Sequence, residues 1–410
     1  MNLQLVLAAL LVAVSVMAAP ANAGDDPEAA LRERLKPICA DQGARDKLIA
    51  DMISQGGEYE QATAKWDLDI ACEQLTLSAD PVNDTADPSD DASHNNWIYD
   101  ARWSPDGTRI ATAGRDKTVR IWDVASGKSI RRIDIGALPA TRPDDMAGMV
   151  RHVRFLDQGR LLVVSADMHP LRVFDVESGT PIAELPFTPP GSGWFAGPDI
   201  ETTESGLVLI ESEGAAVSVY DWAAKKERYN LPGVPNETAQ IAASDAAGLL
   251  ATTQPAGDRS TRVTLHKLET GEPLWNAEMP GSRSADIVTF SRDGKRLAVA
   301  VEGKAYIYDT ATGTLAATLT IYPTFGNITL AFTADGNRLV AGVRYPQLWD
   351  IATGKRVLHF GPFSDLFHSA DVSPDGKYLL TGHMGSDGRI WEVDTGVFFR
   401  RLGKNVHPPG

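Results

Sequence analysis

Few side chains in this sequence have the type and spacing that chemistry requires. There are two cysteines, Cys39 and Cys72, and thiols so placed can pair, bind a metal or carry redox chemistry. Metal and redox sites favour a Cys-x-x-Cys spacing, which is absent, so pairing is the expected use. Met168-His169 and His383-Met384 offer soft metal donors, but two short segments far apart make a poor cage, and they read as ordinary loop residues. Gly127-Lys128-Ser129 imitates the end of a phosphate-binding loop, yet Trp122 occupies the place of that loop's first glycine. Gly-x-Ser-x-Gly, His-Glu-x-x-His, Cys-x-x-Cys-His and alternating acidic calcium loops are all missing. No catalytic residue, metal ligand or cofactor is therefore assigned. What remains is a set of aromatic and arginine side chains, the types that concentrate binding energy at interfaces.

The elements that carry these residues repeat. The turns Ser104-Pro105-Asp106-Gly107, Ser291-Arg292-Asp293-Gly294, Thr333-Ala334-Asp335-Gly336 and Ser373-Pro374-Asp375-Gly376 have weaker copies at Leu156 to Gly159, Thr203 to Gly206 and Asp245 to Gly248. Successive turn glycines (107, 159, 206, 248, 294, 336 and 376) are 40 to 52 residues apart, a period that implies seven units. After each turn comes a short apolar run, then a segment with an aromatic-acid ending such as Ile121-Trp122-Asp123, Val173-Phe174-Asp175 or Leu348-Trp349-Asp350. The fourth copy is degenerate, with Thr264-Leu265-His266 in that place. A second turn follows, as in Ala125-Ser126-Gly127-Lys128 and Ala311-Thr312-Gly313-Thr314, and leads into one more strand. Four short strands per unit, separated by tight turns, are the makings of a propeller blade.

This arrangement resembles the WD-repeat (WD40-type) family of seven-bladed β-propellers over residues 94–403. The resemblance implies an all-β ring, and in each blade a polar network of a loop His, a strand Ser or Thr, a turn Asp and a Trp. Only the first repeat supplies all four, as His94, Thr112, Asp116 and Trp122. Ser165 and Asp167 persist in the second, and Thr381, Asp387 and Trp391 in the last, so most blades should rest on apolar packing. Val397 to Leu402 reads as the outer strand of the last blade, completed without a strand from the amino-terminal side, although Gln74 to Ser78 could add at an edge. Leu268 to Trp275 resembles the tryptophan-docking repeat of quinoprotein propellers. It occurs once, with Arg131, Ala183, Ala317, Leu358 and Arg400 at the corresponding places, so Trp275 is expected to pack between strands.

In the family, the loops entering the blades and the turns between second and third strands form a rim where proteins and peptides dock. Here those segments hold Trp97, Arg115, Arg151, Trp194, Phe195, Arg283, Tyr322, Phe325, Arg344, Tyr345, Phe367 and His368. The resemblance thus implies a non-enzymatic interaction scaffold with a protein or peptide partner. The arginines suit an acidic or carboxylate-bearing segment. A lactonase-like propeller hydrolase or a quinoprotein-like enzyme is the alternative. With 39 basic against 54 acidic residues in 410, the net charge of -15 has the wrong sign for nucleic acid.

The amino-terminal side differs in character. Leu5 to Ala19 is apolar and Ala21-Asn22-Ala23 is a small-x-small cleavage site, so residues 1–23 read as a signal peptide, although Met1 to Gln4 lack a Lys or Arg. No cysteine adjoins the site to carry a lipid, and no membrane-spanning segment remains after cleavage. The expected location is periplasmic or secreted, in a bacterium. Residues 24–79 have helical periodicity and read as a small disulfide-linked α-helical domain, 80–93 as an acidic linker with five aspartates and two prolines between 80 and 91, and 404–410 as a tail. A Cys39–Cys72 cross-link would stabilise the helical unit by roughly 3 to 4 kcal/mol in the chain-entropy model. Intact mass after alkylation of protein isolated without reductant checks the pairing: no added mass is expected, and two alkylated cysteines would refute it.

Overall fold

Every Ser-Pro-Asp-Gly segment closes a hairpin through one set of bonds. In the computed structural model, the Ser104 hydroxyl donates to Asp106 at 2.6 Å, the Asp106 carboxylate accepts the Thr108 N–H at 3.0 Å, and the Gly107 N–H reaches the Ser104 carbonyl at 2.9 Å. Ser291 with Asp293, Thr333 with Asp335 and Ser373 with Asp375 repeat the pattern. The acid of each aromatic-acid ending has a parallel duty at the second turn. Asp123 accepts the backbone and hydroxyl hydrogens of Ser126, and Asp309 and Asp350 do the same for Thr312 and Thr353. A carboxylate there satisfies donors that the reversing chain takes out of the ladder.

The structure describes residues 40, 41, 43, 44, 47 and 93–403, except 139–146, 187–198, 213–215, 235–236, 238, 283, 322–327, 343–345, 361–366 and 385–386. Among the described residues, 28 strands form seven antiparallel four-stranded sheets. Blade one holds β1 (Ile98–Trp103), β2 (Arg109–Gly114), β3 (Thr118–Asp123) and β4 (Ser129–Asp134), and the later blades follow in chain order. The inner strands of blades two to seven are β5 (Val150–Leu156), β9 (Ile200–Thr202), β13 (Ile241–Ser244), β17 (Ile287–Phe290), β21 (Thr329–Phe332) and β25 (Phe367–Val372). Each packs against the next, and β25 packs against β1, which closes the ring. Blade seven ends with β26 (Tyr378–His383), β27 (Gly388–Glu392) and β28 (Phe398–Leu402), so it is built from consecutive strands, as expected. All these strands lie in a compact unit spanning 83–360 and 366–410.

Apolar side chains fill the spaces between blades. Ile121, Ile133, Val153 and Phe174 belong to one cluster spanning blades one and two, and Ile307, Ile328 and Phe332 to another spanning five and six. At the closing seam Ile98, Trp103, Ile110 and Trp122 of blade one pack with Leu380, Ile390 and Leu402 of blade seven. The Trp103 N–H also donates to Asp371 across the seam at 2.8 Å, and the Arg400 guanidinium to the Ala125 carbonyl at 2.9 Å.

A side chain on the outer strand docks against the second-turn glycine of the following blade. The Trp275 indole donates to the Thr310 carbonyl at 2.8 Å, lies 5.8 Å from the Tyr308 ring, and faces Gly313. Trp275 therefore packs between blades, not merely between strands. Nor is it alone: Arg131 meets Gly179, Tyr229 meets Gly271, Leu358 meets Gly396 and Arg400 meets Gly127. Ala317 is too short to reach, and Gly354 of the next blade correspondingly has nothing within 4 Å.

The helical domain lies outside the described residues, apart from isolated positions among 40–47, where Asp41 accepts the Ala44 N–H at 2.7 Å. Cys39, Cys72, the signal segment, Gln74 to Ser78 and the tail also lie outside them. Among the described residues no helix is long and apolar enough to cross a membrane.

Gly313 and Gly354 separate two effects. Both have left-handed backbones, with φ of +70° and +66°, but a Cβ on Gly313 would sit 3.0 Å from the Trp275 ring. Gly354→Ala should cost about 1 kcal/mol for its backbone alone, and Gly313→Ala about 1 kcal/mol more, measured by urea unfolding. Equal losses would mean that the docking contact contributes nothing.

Candidate functional site

The polar network of blade one forms as the resemblance implies. The Trp122 indole N–H donates to Thr112 Oγ1 at 2.8 Å, Thr112 Oγ1 lies 2.8 Å from His94 Nε2, and His94 Nδ1 lies 2.9 Å from Asp116. One proton direction satisfies every group: indole to hydroxyl, hydroxyl to Nε2, and Nδ1–H to carboxylate. Burial would raise the Asp116 pKa, but His94, Thr118 and the Asn95 N–H hold it below the usual carboxylate value. The network ties the loop entering blade one to the turn after β2, and the Arg115 N–H of that turn binds the Trp97 carbonyl at 2.8 Å.

Other blades make parts of this network with different residues. In blade seven Trp391 donates to Thr381 at 3.1 Å, and His383 Nε2 lies 2.7 Å from the same hydroxyl. His383 ends strand β26, fully buried, and is not the loop residue expected of the His383-Met384 pair. Asp387 meanwhile pairs with Arg389 at 2.8 Å and Arg401 at 3.2 Å. In the degenerate fourth blade His266 stands in for the missing Trp, with Nε2 at 3.1 Å from Thr252 and Nδ1 at 3.1 Å from the Gly271 carbonyl. His169 is buried as well and lies 3.1 Å from Arg172.

The end of the ring bearing Trp97 is shaped by three matched irregularities. The inner strands of blades seven, one and two slip register between Phe367 and Ser369, Ile98 and Asp100, and Val150 and His152. The inner strands of blades three to six pair without such a slip. A bulge leaves one residue out of the ladder and re-aims its side chain. Here those residues are His368, Tyr99 and Arg151, and they converge. Tyr99 lies edge-on to His368 at 5.6 Å, and the Arg151 guanidinium sits 4.5 Å from the Tyr99 ring. Trp97 stacks on His368 at 5.9 Å, while Arg115 covers Trp97 at 4.7 Å.

Arg115, Trp97, His368, Tyr99 and Arg151 thus form a continuous strip of rings and guanidiniums across three blades. Trp97 and Tyr99 are half-buried and His368 is exposed. Desolvation by its packed neighbours, followed by the Arg151 charge, lowers the His368 pKa below the usual imidazole value. Arg151 is committed to Asp167, with contacts at 2.9 and 2.6 Å. Arg115 pairs with no carboxylate among the described residues, which leaves its charge available on the face of Trp97.

Of the residues expected on the rim, Trp97, Arg115, Arg151 and His368 come together. Phe367 does not: it is buried beneath the rim, 6.3 Å from the His383 ring. Trp194, Phe195, Arg283, Tyr322, Phe325, Arg344 and Tyr345 lie outside the described residues. Tyr99 was not expected. Its sequence signal is a shared one, a bulky residue directly after the apolar residue that opens an inner strand, as in Ile98-Tyr99, Val150-Arg151 and Phe367-His368. Among the described residues, no group of three or more His, Cys, Asp or Glu side chains converges to hold a metal.

Residues 91–123 match the family WD domain, G-beta repeat, and this is the segment that carries the complete network. The chain is similar to the small ribosomal subunit protein RACK1 of Glycine max, 27% identical over 94 residues, 23% of this chain and 25% of that protein. It is similar to Protein HIR1 of Chaetomium globosum, 31% identical over 107 residues, 24% of this chain and 9% of that protein. Coronin-7 of Homo sapiens is 25% identical over 194 residues, 46% of this chain and 18% of that protein. The matches span a quarter or less of the length of these relatives. Fold and repeat together define a seven-bladed propeller that carries a WD repeat.

Proposed function

We propose that this protein is a non-enzymatic interaction scaffold that docks a protein or peptide on the rim where blades seven, one and two meet. The observation that supports this reading is the convergence of the three bulged residues His368, Tyr99 and Arg151 with Trp97 and Arg115. Rings already stacked on one another lose little side-chain entropy when a partner covers them. The match to a protein named as a small ribosomal subunit component fits an assembly role. The partner segment presents a carboxylate to Arg115. The apolar leader and the two cysteines support export to an oxidising, periplasmic compartment of a bacterium, with Cys39 and Cys72 paired.

Affinity capture from a periplasmic extract, with wild-type and altered chains side by side, tests the reading. Arg115→Ala and Trp97→Ala should retain the wild-type melting transition within a few degrees, and each should weaken capture by about 1 to 2 kcal/mol. Raising the salt should weaken wild-type capture more than that of Arg115→Ala. Partners held at wild-type affinity by both variants would rule out this strip as the docking site.

A further inference from the structure

The opposite end of the ring carries a second feature, unrelated to the rim. A cavity of about 1360 Å³ runs along the axis and opens between the first turns of the blades, among Ser104 to Asp106, Thr203, Ser291 and Ser373. In every blade the residue two places before the one that opens the first turn lines it. In ring order from blade one these are Arg102, Arg154, Glu201, Ala243, Thr289, Ala331 and Asp371. The sequence of this ring is lopsided. Blades seven, one, two and three contribute charged side chains, and blades four, five and six contribute two alanines and a threonine. The lumen is therefore open on one side, bounded at its edges by carboxylates and faced by two guanidiniums.

The charged wall is built and partly committed. Asp100, almost fully buried behind it, bridges Arg102 at 3.0 Å and Arg154 at 2.6 Å, and Glu201 takes Arg154 Nε at 3.2 Å. Asp371 accepts the Trp103 N–H at 2.8 Å. Nη2 of Arg102 and of Arg154 takes no partner among the described residues. Phe290, half-buried, lines the cavity beside the small residues, whereas the nearby Phe332 is almost fully buried in the cluster between blades five and six. The ring itself carries two guanidiniums and two carboxylates, with Asp100 behind them and the further acids Asp106, Asp157, Glu204 and Asp245 toward the mouth, so a ligand with a single charge would leave one kind of group in the ring unengaged. A ligand carrying both charges would not: its carboxylate can face the guanidiniums while its ammonium meets Asp371 or Glu201.

We propose that this axial cavity binds a zwitterionic α-amino carboxylate, free or as a short peptide, with its side chain against Phe290. Calorimetric titration of the full chain tests this with L-phenylalanine and phenylalanyl-glycyl-glycine, each beside its N-acetylated and C-amidated forms. At least one parent compound should bind saturably, and blocking either end should weaken it about tenfold or more, the loss expected for one charged hydrogen bond. The free amino acid and the peptide arms show which size class is held. The Thr289 side chain makes no hydrogen bond among the described residues, so Thr289→Arg fills the open side without orphaning Asp100, as replacing either arginine would. It should abolish binding with the melting transition unchanged, while Trp97→Ala at the other end binds as wild type. Failure of both parents to bind, equal binding of the blocked forms, or wild-type binding by Thr289→Arg would each overturn the proposal.

Discussion

The seam between blades seven and one is the constraint on which the rest of the molecule depends. Six of the seven blade interfaces join units adjacent in sequence, whereas this one brings residues 367–402 to residues 93–134. It is closed by a buried apolar cluster, by the Trp103 N–H bond to Asp371 and by Arg400 at the second turn of blade one. Closing so long a loop is entropically expensive, and burial of Trp103, Trp122, Leu380 and Leu402 offsets it. The aromatic strip straddles the seam, with His368 on one side and Trp97 and Tyr99 on the other. So does the ionic wall of the axis, with Asp371 on one side and Arg102 on the other. A frayed seam would dismantle both.

The two ends of the ring are specialised by a small number of departures from regularity. At the rim end a single extra residue in each of three neighbouring inner strands lifts one side chain out of the ladder. At the turn end, the size of one residue per blade decides which side of the lumen stays open. Neither device disturbs the interfaces, because strand side chains alternate and the inter-blade positions remain apolar. The polar networks show the same economy: Trp122, Trp391 and His266 each bond a strand threonine from the same place in their blades.

Much of the fold was legible because turns constrain residue type tightly. Glycine is demanded where φ is positive, and an acid where turn donors need an acceptor, so Gly107, Asp106 and Asp123 announce the blades. The WD network was legible in blade one, where all four residues are present. Bulges were not, because a bulge exists only in the register between two strands. A shift of one residue exchanges the two faces of a strand, which is why Phe367 and His368 both read as rim residues in the sequence while only His368 reaches the rim and Phe367 is buried. The docking contacts were hidden for another reason. An arginine stem, a tyrosine, a leucine and a tryptophan cover a turn glycine in the same way, although as letters they share nothing. Polar stand-ins such as His383 and His266 escaped notice because they act from positions the family pattern assigns to other residues.

That closure of the seam assembles the docking strip is the central claim, and hydrogen exchange combined with partner capture tests it most directly. Leu380, fully buried in the seam cluster and not itself part of the strip, can be shortened to alanine at a cost of about 2 to 5 kcal/mol. Exchange should rise first in β1 and β25 among the inner strands, and capture of the partner should fall although no residue of the strip has changed. A seam that opens in exchange while the partner is still held at wild-type affinity would contradict the account.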